Sequence, residues 1–234
     1  LSNNNHSFDL GAFSLETVND SSPINLAFEV DATDADGDAV SGWLGVALLP
    51  NNADTAIGSD AGQTLDGDAD SNNLAGLAGP DTVNGNAGND FLLGGAGNDI
   101  LVGGVGSDVL FGQTGSDTLT GGIGGADSVS DRFVFQRGDV GHGVDTITDF
   151  KVAALGSGGD VLDISDLLTG AGITPTTFDG NPASYLVVTA GANTTIAFDA
   201  DGAGVGAAVQ IATLQNVNTT LNTLLANGQI DATP

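Results

Sequence analysis

Residues 85–111 read GNAGNDFLLGGAGNDILVGGVGSDVLF: three near-copies of a nine-residue phrase with glycine at the first and fourth places, aspartate at the sixth and an aliphatic residue at the eighth. The phrase extends in both directions. Cutting at every ninth residue from Gly58 gives GSDAGQTLD, GDADSNNLA, GLAGPDTVN, GNAGNDFLL, GGAGNDILV, GGVGSDVLF and GQTGSDTLT, seven units ending at Thr120. The last five place Asp81, Asp90, Asp99, Asp108 and Asp117 at the sixth position, where the first two have Gln63 and Asn72. An eighth unit, GGIGGADSV, has slipped by one residue, so that Asp127 and Val129 stand one place late and the array ends.

The eighth place is apolar throughout: Leu65, Leu74, Val83, Leu92, Leu101, Leu110 and Leu119. Glycine gives the turn its positive φ angles and leaves carbonyls uncovered, so each unit reads as a turn followed by a short strand. Nine residues cannot bury a face alone, but stacked coils of two units each bury the aliphatic column continuously. At a strand spacing of about 4.8 Å the predicted solenoid is on the order of 17 Å long. A Gly/Asp-rich disordered linker is the competing reading, and the unbroken aliphatic column argues against it.

The units match the repeats-in-toxin (RTX) nonapeptide G-G-x-G-x-D-x-U-x, and the chain resembles that family over this stretch. The resemblance implies a parallel β-roll holding several Ca²⁺ ions between successive turns, with the aspartates and glycine-turn carbonyls as ligands. It carries that role to Asp81, Asp90, Asp99, Asp108 and Asp117, and to the displaced Asp127. The chemistry agrees independently, because Ca²⁺ takes about six to eight oxygens in a tolerant geometry and one turn supplies about half of them.

Composition points the same way. Of 30 acidic residues only Glu16 and Glu29 are Glu, and the cations are Arg132, Arg137 and Lys151 alone, for a formal charge of −27. Aspartate is depleted in helices and strands and favoured in turns and as a hard oxygen ligand. The charge repels nucleic-acid phosphates and acidic membrane surfaces, so neither is an expected partner. No apolar run is long enough to span a membrane, and residues 1–30 lack the cationic and apolar regions of a secretory signal. The chain starts at Leu1 and contains neither Met nor Cys, so we expect a piece of a longer protein that folds without disulfides or thiolate chemistry.

Side chains alternate along each strand, so the seventh and ninth places face outward. One sheet would present Phe91, Leu93, Val109 and Phe111, an apolar cluster that something must cover. Residues 1–57 contain INLAFEV and GWLGVALL, read as strands that pack on the rest of the chain, since two or three strands are not stable alone. Between them DATDADGDAV, with Asp34, Asp36 and Asp38, resembles the calcium loops of bacterial Ig-like and cadherin-like modules; a solvated turn is the other reading. DGDADSN at 66–72 mimics the start of an EF-hand, but the glycine at its sixth place is missing and Leu77 stands where Glu belongs.

Residues 130–234 are expected to be β-rich: RFVFQ, VDTITDF, GDVLDISDLL, a hairpin in YLVVTAGANTTIAFDADG and a strand in AAVQIATL. A helical stripe of Leu214, Val217, Leu221, Leu224 and Leu225 follows, stopped by Asn227 and Gly228. DRFVFQ, DTITDF and GDVLDISDLL in this order resemble the C-terminal region of type I secreted RTX adhesins, whose last residues carry an uncleaved export signal. The overall expectation is an all-β chain: a β-strand segment at 1–57, a calcium-binding roll at 58–129, and a β-rich region at 130–234 ending in a short helix.

No catalytic pattern accompanies these features. His6 and His142 are the only histidines, and neither H-E-x-x-H, G-x-S-x-G nor a P-loop lysine occurs. The sequence therefore points to a non-enzymatic, monomeric module that folds on calcium outside the cell. Its partners would be the type I secretion machinery and the remainder of a surface adhesin. A carbohydrate- or surface-binding module and the accessory domain of a secreted enzyme remain the alternatives.

Overall fold

The computed structural model describes residues 24–33, 39–48, 54–122, 129–202 and 208–233. Two compact units divide the chain, Leu1–Asn51 and Asn52–Pro234. In the first, β1 (Ile24–Thr33) and β2 (Ala39–Leu48) form an antiparallel hairpin whose register runs from Ile24 opposite Leu48 to Thr33 opposite Ala39. These are the two strands expected from INLAFEV and GWLGVALL. The loop carrying Asp34, Asp36 and Asp38 lies outside the described residues.

The second unit is the roll. Alternate units of the array feed alternate sheets. The first sheet contains β3 (Asp54–Ile57), β5 (Asn72–Ala78), β7 (Phe91–Ala96), β9 (Val109–Thr114), β11 (Arg132–Val134), β13 (Val161–Asp163) and β17 (Ile230–Asp231), all parallel. The second contains β4 (Thr64–Asp66), β6 (Thr82–Ala87), β8 (Ile100–Val105), β10 (Thr118–Gly122), β12 (Asp145–Ile147) and β16 (Val209–Leu214) in parallel. Two antiparallel strands, β15 (Thr194–Phe198) and β14 (Leu186–Thr189), close its far edge.

Register shows why the eighth place must be apolar. Cross-strand partners run Ala56, Leu74, Leu92, Leu110, Phe133, Leu162 and Ile230 through the first sheet. Through the second they run Leu65, Val83, Leu101, Leu119, Ile147, Leu214 and Thr194. Val83, Leu92, Leu101, Leu110, Leu119, Phe133, Ile147, Leu162 and Leu214 are fully buried, so the two columns form the core. The one polar member, Thr194, is also buried and satisfies its hydroxyl by donating to the Val217 carbonyl at 2.8 Å.

The roll is longer at both ends than the nonapeptide array. β3 lies before Gly58, so the sheet begins one unit earlier than the expected boundary at 57/58. Past Thr120 both sheets continue through β11, β12, β13, β16 and β17, so strands of the β-rich region 130–234 extend the roll. GDVLDISDLL is strand only as far as Asp163. Asp163 accepts both the backbone N–H and the hydroxyl of Ser165, and α1 (Ser165–Gly170) starts there, burying Leu167 and Leu168. A second short helix, α2 (Pro175–Gly180), was not foreseen; it starts with Thr174 as N-cap and proline in its first turn. Of the leucine stripe, Leu214 belongs to β16, and only Leu221–Ala226 is helical (α3), capped by Thr220 and stopped by Gly228 at φ +74°. Among the described residues no helix is long and apolar enough to cross a membrane.

The expected apolar cluster is covered. Phe91 and Phe111 are buried with ring centroids 5.0 Å apart, and Leu93 and Val109 are half-buried. The core column yields the first prediction. Leu101→Ala should cost about 2–5 kcal/mol of unfolding free energy, whereas outward-facing Thr82→Ala should cost less than about 1 kcal/mol. Denaturant unfolding at saturating calcium measures both, and equal losses would contradict the assignment of the inward face.

Candidate calcium ladder

Stacking the coils stacks their sixth-place residues, one column on each edge of the roll. On one edge the backbone N–H of Gln63 donates to Asp81 Oδ1 at 2.9 Å, that of Asp81 to Asp99 at 2.8 Å, that of Asp99 to Asp117 at 2.8 Å and that of Asp117 to Asp145 at 3.0 Å. On the other the donors and acceptors run Asn72 to Asp90 at 2.7 Å, Asp90 to Asp108 at 2.8 Å, Asp108 to Asp131 at 3.0 Å and Asp131 to Asp160 at 3.1 Å. Each aspartate thus uses one carboxylate oxygen to hold the previous coil, through a charge-assisted hydrogen bond.

The other oxygen has a different fate. Oδ2 of Asp81, Asp90, Asp99 and Asp117 is buried and accepts no hydrogen bond. A buried unpaired carboxylate oxygen is costly, and a cation bound beside it on successive coils would offset that cost. The first-place glycines show where that charge fits. A Cβ on Gly103 would strike Asp108 Oδ2 and the Gly121 carbonyl, and a Cβ on Gly85 would strike Asp90 Oδ2 and the Gly103 carbonyl. A carboxylate oxygen and a bare carbonyl therefore come together beside each of these glycines, where no side chain would fit. The donor set is entirely hard oxygen, as Ca²⁺ requires. Among the described residues no three His, Cys, Asp or Glu side chains converge on one point, so backbone carbonyls must supply much of any coordination sphere.

The fourth-place glycines allow the coils to approach. Gly106 has φ +140°, and a Cβ there would run into the Gly88 carbonyl one coil away.

The electrostatics reflect the burial of these carboxylates. Burial raises the pKa values of Asp90 and Asp99, against the opposing effect of the backbone N–H bonds they accept. Asp117 is pushed up to about 6, chiefly by burial. Asp145 is pushed up to about 8 by burial and then by the Asp117 carboxylate. Asp160 rises to about 6 through burial, against the N–H groups of Lys151 and Asp131.

The five nonapeptide aspartates named from sequence all stand in the ladders. Asp127 lies outside the described residues, as do Asp34, Asp36 and Asp38. The place one coil beyond Asp108 belongs to Asp131. Asp131, Asp145 and Asp160 escaped the sequence reading because they follow their ladder neighbours by 23, 28 and 29 residues where the array spacing is 18. The surviving signal was D-x-U: Asp131 before Phe133, Asp145 before Ile147 and Asp160 before Leu162.

Residues 66–101 and 93–126 match the family model of the RTX calcium-binding nonapeptide repeat (4 copies). No curated protein matches the chain significantly. Among solved structures, the chain is similar to the AlgE6R3 subunit of the Azotobacter vinelandii mannuronan C5-epimerase, known from a solution structure. That match has 22% identity, covers 77% of this chain and 83% of that one, and has a TM-score of 0.34. The stretch 66–126 is accordingly an array of RTX calcium-binding repeats, and Ca²⁺ is their cofactor.

Two predictions follow from the ladder. Gly103→Ala should weaken calcium binding by about tenfold or more, because the methyl enters the space beside Asp108; calorimetric titration measures it. The second concerns pH. Asp117, Asp145 and Asp160 bind protons more tightly folded than unfolded, so the calcium-free fold should lose stability as pH rises from about 4 to about 8. Unfolding midpoints in EDTA across that range should fall with pH; a rise would mean that the ladder carboxylates are not buried in the calcium-free fold.

Proposed function

We propose that the chain is a calcium-triggered folding and type I secretion module at the C-terminal end of a secreted or cell-surface RTX adhesin. Asp81, Asp90, Asp99, Asp108 and Asp117 hold the ions together with first-place glycine carbonyls. The observation that carries this reading is the repeated buried oxygen: Asp81, Asp90, Asp99 and Asp117 each give one carboxylate oxygen to the neighbouring coil and keep Oδ2 buried, without a hydrogen bond, beside a first-place glycine. On sequence grounds alone, Asp127 and the Asp34, Asp36 and Asp38 loop are further ligand positions.

Charge turns ligation into a switch. Carboxylates on adjacent coils, about 4.8 Å apart, repel by on the order of 3 kcal/mol per pair at an effective dielectric of about 20. No Lys or Arg precedes Arg132 to offset this. In a low-calcium cytosol the repeats stay extended and threadable, and external calcium folds them as they emerge. Folding outside then opposes back-sliding.

Replacing Asp81, Asp90, Asp99, Asp108 and Asp117 together by Ala should abolish calcium-dependent folding of the purified chain and slow its export from a strain with a working type I system. Export at the wild-type rate would sink the secretion part of the reading, and unchanged calcium-dependent folding would sink the ligand assignment. The single change Asp99→Asn, which keeps the hydrogen-bonded shape and removes one charge, should raise the calcium midpoint about threefold to tenfold.

A further inference from the structure

The first turn on one edge of the roll is made of different atoms from the turns that follow it. In the following coils two acceptors stand side by side. A Cβ on Gly76 would strike Asp81 Oδ2 and the Gly94 carbonyl, and a Cβ on Gly94 would strike Asp99 Oδ2 and the Gly112 carbonyl. Oδ2 of Asp81 and of Asp99 accepts no hydrogen bond. Two acceptor oxygens cannot satisfy each other, and a shared cation would satisfy both.

Gln63 holds the same place one coil earlier and puts a donor in it. A Cβ on Gly58 would strike Gln63 Nε2 and the Gly76 carbonyl, so the amide nitrogen stands where Oδ2 stands in the next coils. Nε2 donates to the Gly76 carbonyl at 2.9 Å, to Asp81 Oδ1 at 3.2 Å and to the Ser59 carbonyl at 3.2 Å. Oε1 accepts the Ser59 N–H at 3.0 Å and the Ser59 hydroxyl at 3.2 Å. The backbone N–H of Gln63 keeps its ladder bond to Asp81 Oδ1 at 2.9 Å. The other edge begins with Asn72, whose amide turns back on its own loop: Oδ1 accepts the Asp68 N–H at 2.7 Å and Nδ2 donates to Asp68 Oδ1 at 3.1 Å. Of the two amides, Gln63 is the one that bridges to the next coil.

We propose that the Gln63 side chain is a built-in substitute for Ca²⁺, joining the first turn to the next by an amide, so that this turn pair takes no ion and the calcium column on this edge starts at Asp81. The inference rests on the calcium reading of the ladder. Its chemistry is a donor count: a carboxamide offers two N–H hydrogens to the carbonyl and carboxylate oxygens that the following turns offer to a metal. Position adds a reason. β4, which follows Gln63, is the last strand of its sheet and has β6 as its one neighbour there. An amide holds this end of the stack at any calcium concentration and adds no carboxylate to it.

Native mass spectrometry of the full chain at saturating Ca²⁺ counts the ions on wild type, Gln63→Glu and Gln63→Leu, and thermal unfolding is followed at the same calcium concentration. Gln63→Glu keeps the shape and turns the donor into an acceptor, so it should hold one ion more than wild type. Gln63→Leu should hold the wild-type number and unfold about 2–4 °C lower for the lost bridge. An unchanged or lower count in Gln63→Glu overturns the substitution of amide for metal. So does an unchanged unfolding midpoint in Gln63→Leu, or one ion fewer there, which would make Gln63 itself a ligand through Oε1. Wild type without bound calcium overturns the calcium reading instead, so the two failures are read on different proteins. If either variant does not fold, the other decides.

Discussion

Everything in the roll depends on one arrangement: a buried aspartate that gives one carboxylate oxygen to the backbone of the neighbouring coil and is left with the other. The first bond sets the vertical register of the turns and, with it, the register of both hydrophobic columns. The second oxygen makes the same residue a liability without a cation. Glycine is required on both sides of it, at the first place so that nothing fills the space beside Oδ2, and at the fourth so that the coils close up. Coil register and the buried oxygen are therefore properties of the same side chain, repeated along each edge.

The two columns explain why so small a set of residues suffices. Short strands present one inward side chain each, and stacking makes those single residues continuous. Where strict repetition stops, the inward position is still honoured by Phe133, Ile147, Leu162 and Leu214, and the carboxylate position by Asp131, Asp145 and Asp160. Insertions between coils are accommodated as short helices and turns, of which α1 and α2 are examples, and Leu167, Leu168 and Phe178 on them join the core.

The array was legible in the sequence because its chemistry recurs at a fixed period. Glycine, aspartate and leucine at set places identify turn, carboxylate ladder and core without reference to distant residues. The coils beyond Thr120 were not legible as roll, since their loops vary in length and the period is lost, although D-x-U persists. Local propensity also misled in places. Leu214 lies in phase with a helical stripe, yet register with Ile147 and Thr194 makes it strand. Asp163 and Ser165 end a strand that hydrophobicity alone would have continued. The docking of Gln229 against Lys151 and Asp160 joins residues 78 and 69 positions apart, which no local pattern encodes.

The central claim is that cation binding at the paired ladders makes the fold. Circular dichroism of the full chain, titrated with Ca²⁺ from EDTA to several millimolar with Mg²⁺ as the control, tests it most directly. The account predicts a cooperative gain of β signal with Ca²⁺ and little with Mg²⁺, which demands a tighter octahedral shell than glycine turns can offer. Full β signal already present in EDTA at neutral pH would contradict it, because the roll would then tolerate its buried carboxylates without a metal.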